Sequence, residues 1–233
     1  MDIFDKALLA WLAVGIVFWT IYSALVVQNA GFIYYVIWVA GFGGFGWLNR
    51  EKIAAAIRSL PGTRFSKFVA LGFGTVLLEE TFAALPYAIS EGFTIMLYAQ
   101  RILQHWAFNL FTFTGFVFGW YFLLSRYGYS GREVFLLAGI WGLYAESVIY
   151  SVFTNPLAFF IFTPVMVFTY GLIAWPPFLS FGATGSRQLH PALKYPLTML
   201  ALYLFSVVPI LVLGVLLNNY PWAFAPYMTS PTG

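Results

Sequence analysis

Two adjacent glutamates lie in the middle of an apolar run, 71-LGFGTVLLEETFAALPYA-88, that contains no lysine or arginine. An isolated carboxylate is costly in apolar surroundings, so Glu79 and Glu80 must be protonated, paired or hydrated. Adjacent helical positions point about 100° apart, so the two acids cannot both face lipid or share one target. Two acids with unequal proton affinities suit general acid–base chemistry. The alternative is interhelical hydrogen bonding from protonated acids to Tyr or Thr, without chemistry.

A second polar element is the segment 101-RILQHWAFN-109. Arg101, His105 and Asn109 fall at positions i, i+4 and i+8, which puts them on one helical stripe. Glutamate and histidine together can hold and deprotonate a water molecule, and Asn109 can donate to a developing oxyanion. A single membrane histidine can instead simply bond a tyrosine or a carbonyl group.

Glu146 is the third acid in an apolar segment, 139-GIWGLYAESVIY-150. It lies about as far beyond Arg132 as Glu79 lies beyond Lys67, roughly 18 Å at 1.5 Å per residue. Both depths are near the middle of a bilayer. We therefore predict one internal polar site, built from Glu79, Glu80, His105, Asn109 and Glu146.

The composition requires a membrane to hold these residues. The chain is 61% hydrophobic, 21% aromatic and only 8% charged, whereas soluble domains carry about 25% charged residues. We predict an all-α, polytopic integral membrane protein that forms a single transmembrane domain over residues 1–233. Seven spans of sufficient length are expected, at 7–27, 31–48, 68–89, 103–125, 134–153, 157–178 and 195–217.

The connections between spans predict the orientation. With seven spans, every Lys and Arg except Arg101 falls on one side, which is ten of the eleven in the chain. The positive-inside rule then predicts a cell-membrane protein with a cytoplasmic N-terminus and an external C-terminus. A short interfacial helix is expected in 49–67, and 90–103 forms either another or an extension of the fourth span. The aromatic tail 218–233 is expected along the outer interface.

Several function classes are excluded or disfavoured. The net charge of +3 requires no nucleic-acid partner, because cytoplasmic loops facing anionic membrane lipid are normally basic. The chain has no cysteine, and no cofactor or metal is expected. The glycines of 41-GFGGFG-46, like those of 115-GFVFG-119, predict close helix packing, not a dinucleotide site.

The acidic pair and the later histidine resemble the CAAX-protease and bacteriocin-processing (CPBP) family of intramembrane glutamate proteases, over roughly 70–150. The family motifs are EExxxR, FxxxH and HxxxN, and the resemblance implies that the first glutamate and the histidine activate water. Here 79-EETFAA-84 supplies Glu79 and Glu80, with Ala84 at the arginine place. His105 fits FxxxH with Arg101 at the phenylalanine place. The segment 142-GLYAE-146 stands where HxxxN is expected, or else His105 and Asn109 themselves form HxxxN.

Three functions remain open from the sequence. The first is a glutamate-dependent intramembrane hydrolase that cleaves a membrane-embedded peptide without a metal. The second is a non-catalytic subunit or pseudoenzyme that binds a partner helix or lipid in the same polar cavity. The third is a membrane enzyme that acts on an isoprenoid lipid, where a protonated carboxyl donates to an alkene.

Overall fold

A computed structural model describes residues 3–27, 30–182 and 184–220. Its regular structure is helical, and among the described residues there is one isolated parallel β-bridge, between Tyr127 and Arg187. Six helices are long and apolar enough to cross a membrane, or seven if one bent pair counts as a span. The predicted all-α, multi-pass membrane architecture is confirmed.

The described residues form ten α-helices, with π-helical turns at Ser23–Val27 and Val36–Gly43 and a 3₁₀ turn at Val148–Tyr150. The helices are α1 (Ile3–Tyr22), α2 (Gly31–Tyr35), α3 (Gly44–Leu48), α4 (Arg50–Ser59), α5 (Arg64–Ser90), α6 (Ile95–Arg126), α7 (Gly131–Ala145), α8 (Ser151–Thr154), α9 (Pro156–Phe181) and α10 (Pro191–Asn219).

Five of the long helices begin after residues that cap them. A side chain just before the helix accepts a hydrogen bond from a backbone N–H of its first turn, which satisfies a group that the helix itself leaves unbonded. The capping residues are Thr63 for α5, Thr94 for α6, Ser130 for α7, Asn155 for α9 and His190 for α10.

The chain divides into two compact units, residues 1–61 with 129–182 and residues 62–128 with 183–233. In the first unit, α9 packs against α1 and α7. Two glycines of the 41–46 motif face α9 closely, since a Cβ on Gly43 would lie 3.0 Å from Leu172 and one on Gly46 would lie 3.1 Å from Trp175. The predicted packing role of these two glycines is confirmed.

In the second unit, α6 packs against α5 on one side and α10 on the other. A Cβ on Gly115 would lie 2.3 Å from the Cα of Ser206, and one on Gly119 would lie 2.9 Å from Leu202. The absence of side chains at these positions therefore lets α6 and α10 approach closely. Whether the units form one transmembrane domain stays a prediction.

Three local expectations have outcomes. The helix expected in 49–67 is α4, and its interfacial position stays a prediction. Ser90 ends α5, whereas the part of 90–103 from Ile95 onward belongs to α6 and so extends the fourth span. The expected fifth span, 134–153, is not straight, because its two helical parts are bent by 78° after Ala145. The tail beyond Tyr220 lies outside the described residues.

Candidate functional site

The hairpin of α5 and α6 positions the acidic pair against the histidine. Trp106 Nε1 donates to the Leu77 carbonyl at 2.8 Å, and the Tyr98 hydroxyl donates to the Thr81 carbonyl at 2.7 Å. These two hydrogen bonds fix the position of α6 along the axis of α5. They bring residue 80 and residue 105 to the same level of the hairpin.

Glu80 and His105 form a direct, buried contact. The Nδ1 of His105 lies 3.1 Å from Oε2 of Glu80, and the two side chains are only 6% and 8% exposed for His105 and Glu80 respectively. The ring of Tyr87 meets the imidazole edge-on at 5.1 Å between centroids. With a carboxylate at Glu80, Nδ1–H is the donor, and the neutral imidazole carries its lone pair on Nε2.

Glu79 is buried like its neighbour, since the whole residue is 5% exposed for Glu79 and 6% exposed for Glu80. Neither acid faces the surrounding lipid, although the two point in different directions round α5. The buried face of α5 continues through Ala84, which has no exposed surface. Glu80 is thus the acid that the structure bonds to His105, and Glu79 is a second buried acid beside it.

The rest of the predicted stripe has its own partners. The guanidinium of Arg101 bonds the Glu91 carboxylate and, at 2.8 Å, the side-chain oxygen of Gln104. The side-chain oxygen of Asn109 accepts from the Thr112 hydroxyl at 2.8 Å. The three residues lie along α6 as expected. Arg101 bonds Glu91 at the turn between α5 and α6, His105 contacts Glu80 on α5, and Asn109 bonds Thr112 on α6 itself.

Glu146 belongs to the other compact unit and has a different environment. Its Oε1 accepts from the hydroxyl of Tyr170 on α9 at 2.6 Å. It lies immediately after α7, where Ser147 takes a left-handed conformation with φ of 60°, and its side chain is exposed. The sequence suggested an acid inside a continuous span, whereas the structure has it at a helix end.

Sequence reasoning missed three contributors to the α5–α6 site. Tyr87 lies two helical turns after Glu80, so its ring reaches the same histidine. Trp106 and Tyr98 bond backbone carbonyls, and nothing in the residue types marks a carbonyl as their target. The seven-residue spacing between Glu80 and Tyr87 places both on one face of α5, so the sequence carried a signal for Tyr87. The bonds of Tyr98 and Trp106 to backbone carbonyls can be identified only from the structure.

The donor set does not assemble a metal centre in the part of the chain that the structure describes, where no group of three or more His, Cys, Asp or Glu side chains can hold an ion. The expectation of no cofactor stays a prediction. Compared with protein-family models, with curated proteins and with solved structures, the chain matches none of them.

Proposed function

We propose that this chain is a membrane-embedded hydrolase in which Glu80 and His105 activate a water molecule to cleave a membrane-embedded peptide. The observation that carries the proposal is the 3.1 Å contact between the two side chains inside an apolar hairpin. A carboxylate that holds one imidazole nitrogen fixes the tautomer of the ring and orients the other nitrogen. The similarity to the CPBP motifs points to the same chemistry.

The reaction follows from these roles. The imidazole, oriented by Glu80, takes a proton from water while the water oxygen bonds to the carbonyl carbon of the peptide. The tetrahedral oxyanion then collapses, the C–N bond breaks, and the leaving nitrogen takes the proton from the imidazolium. Thr112 donates to the amide oxygen of Asn109, which leaves the Asn109 NH₂ group as the candidate donor to the oxyanion. Glu79 is a second acid beside the pair.

A non-catalytic subunit or pseudoenzyme is the second candidate, because one observation favours it. The position at which the family carries arginine is Ala84, whose side chain is entirely enclosed. No space for the family's cation exists at that point. In this alternative the Glu80–His105 contact is an interhelical bond that holds α5 to α6, and a membrane protein, a peptide or a lipid is the partner of the unit.

We also propose the orientation with the N-terminus in the cytoplasm and the C-terminus outside the cell membrane. In the second unit the backbone N–H of Gly128 donates to the Arg187 carbonyl at 3.0 Å, and Lys194 donates to the Gly128 carbonyl at 3.1 Å. Segments that touch lie on one side of a membrane, so the chain between them crosses an even number of times. This supports counting the bent pair as a span, which gives seven.

The test of the hydrolase needs no known substrate. The full chain is produced in membranes that are then incubated in H₂¹⁸O, and new peptide C-termini that carry ¹⁸O are identified by mass spectrometry. Glu80→Gln removes the carboxylate that orients the imidazole, and loss of a general base typically lowers turnover by about 10²–10⁴-fold, so we expect this variant to lower labelling by at least about 100-fold. Glu91→Gln is the matched control, because it makes the same change at the turn of the same hairpin.

The contrary outcomes are definite. Equal labelling by wild type and Glu80→Gln would overturn the proposed role of the pair. Labelling no higher than in membranes that lack the chain would favour the non-catalytic subunit. The folded state of each variant is checked by its elution as a single species in detergent.

A further inference from the structure

A second feature of the α5–α6–α10 unit is an open groove along one face of α6, with a volume of about 760 Å³. Its walls include four aromatic rings, Phe118, Tyr121 and Phe122 of α6 and Phe205 of α10. Phe122 and Phe205 lie 5.3 Å apart between ring centroids. The groove is separate from the Glu80–His105 contact, and neither of those residues lines it.

The groove is apolar along its length. Thr114 closes one end, and its hydroxyl donates to the backbone carbonyl of Leu110. The Ser125 hydroxyl likewise donates to the Phe122 carbonyl at 2.9 Å. Because both hydroxyls are bonded within their own helix, they leave the ring surfaces as the main wall of the groove.

Arg126 lies at the other end and supplies a cation. Its guanidinium carbon is 3.8 Å from the centroid of the Phe122 ring, in cation–π geometry. Its side chain is exposed, and among the ion pairs of the described residues it has no acidic partner. The stacking orients a charge that has no acidic partner among the ion pairs of the described residues, so the rim of the groove is complementary to an anion.

The length of the groove matches one leaflet of a bilayer. From Thr114 to Arg126 is 12 residues, or about 18 Å along the helix. Half of the ~30 Å hydrocarbon core is about 15 Å. With Arg126 in the last turn of α6, the cation lies where headgroups lie and the rings line the path of an acyl chain.

We propose that this groove is a binding site for an anionic membrane phospholipid. The phosphate pairs with the Arg126 guanidinium, whose planar donor fork suits phosphate oxygens. One acyl chain lies along the rings of Phe118, Phe122 and Phe205. The site needs no hydrolytic activity, so it stands whether or not Glu80 and His105 are catalytic.

Native mass spectrometry of the full chain, released from detergent with added lipid, tests the proposal. We expect the first phosphatidylglycerol to bind at least about tenfold tighter than the first phosphatidylcholine, since only the former offers a net negative headgroup to the guanidinium. Arg126→Gln should remove that preference. Arg58→Gln is the matched control, because it removes an exposed arginine of α4 that does not line the groove, and it should leave the preference intact.

Two further measurements distinguish the contribution of the acyl-chain groove from that of the Arg126 guanidinium. Phe205→Ala should weaken both lipids to a similar degree, because it opens the wall that holds the acyl chain. Glycerol phosphate, a headgroup without chains, should bind far more weakly than phosphatidylglycerol. The proposal is overturned if both phospholipids bind wild type equally, if Arg58→Gln and Arg126→Gln lose the same preference, or if glycerol phosphate binds as tightly as the lipid.

Discussion

Glu80 and Glu146 are the same residue type at similar apparent depths in apolar segments, yet their environments differ. Glu80 lies inside a continuous helix, its side chain is 8% exposed, and it contacts an imidazole. Glu146 is exposed, follows the end of α7 and accepts a hydrogen bond from Tyr170. An acid within a helix can be surrounded by a neighbouring helix, whereas an acid at a helix end lies where the chain turns away.

The helix end also has an electrostatic consequence. The last carbonyls of α7 carry partial negative charge, which disfavours a carboxylate beside them. The donated hydroxyl of Tyr170 at 2.6 Å offsets part of that cost. Glu80 has no such helix-end field, and its partner is a side chain that can itself exchange a proton. The two acids thus differ in their partners, since Glu80 contacts an imidazole and Glu146 accepts a hydrogen bond from a hydroxyl.

The largest expected effect concerns the side of the membrane on which each end of the chain lies. The comparison of Glu80 with Glu146 assumes that both acids lie within membrane spans, and Glu146 lies at the break of the bent pair. If the bent pair crosses the membrane, reporter fusions after residue 58 and after residue 220 should lie on opposite sides. The measurement is all-or-none, by paired phosphatase and fluorescent-protein reporters. Both reporters on one side would mean that Gly131–Thr154 does not cross, and the orientation proposed above would fail.

The next effect compares the two acids by turnover. Glu146→Gln should keep ¹⁸O labelling within about twofold of wild type, a difference below ~0.5 kcal/mol, because its carboxylate already accepts a hydrogen bond from Tyr170. Glu80→Gln, measured in the same membranes, should lose labelling by orders of magnitude. A comparable loss in both variants would show that the two acids serve one centre and would end the distinction drawn here.

The smallest effect is on stability. Glu80→Ala should lower the free energy of unfolding in detergent by about 0.6–2 kcal/mol, since it removes an interhelical bond and leaves the buried His105 without that partner. Glu146→Ala should cost less than about 0.5 kcal/mol, as is usual at exposed positions. Thermal unfolding followed by circular dichroism measures both. The reverse order would indicate that the Tyr170 bond, and not the His105 contact, is the stronger restraint.

Several helix starts in the structure carry local sequence signals. The capping residue Ser130 with Glu133 marks the start of α7, and Pro156 and Pro191 mark the first turns of α9 and α10. The break at Glu146 was not predicted, because 134–153 is largely apolar and contains no proline, and its two glycines, Gly139 and Gly142, lie within α7. Hydropathy measures whether a segment favours lipid, and it carries no information about its straightness.

The sequence by itself determined that the chain lies in a lipid bilayer and is helical, because both follow from its composition. It also determined that two acids had to be buried with partners or neutralised, because a charge in hydrocarbon is costly. Only the tertiary structure decided that Glu80 contacts His105, 25 residues away in the chain. It also decided that Arg101 bonds Glu91 and Gln104. Such pairings depend on the register between helices, which close packing and side chain-to-carbonyl bonds fix and which no local pattern encodes.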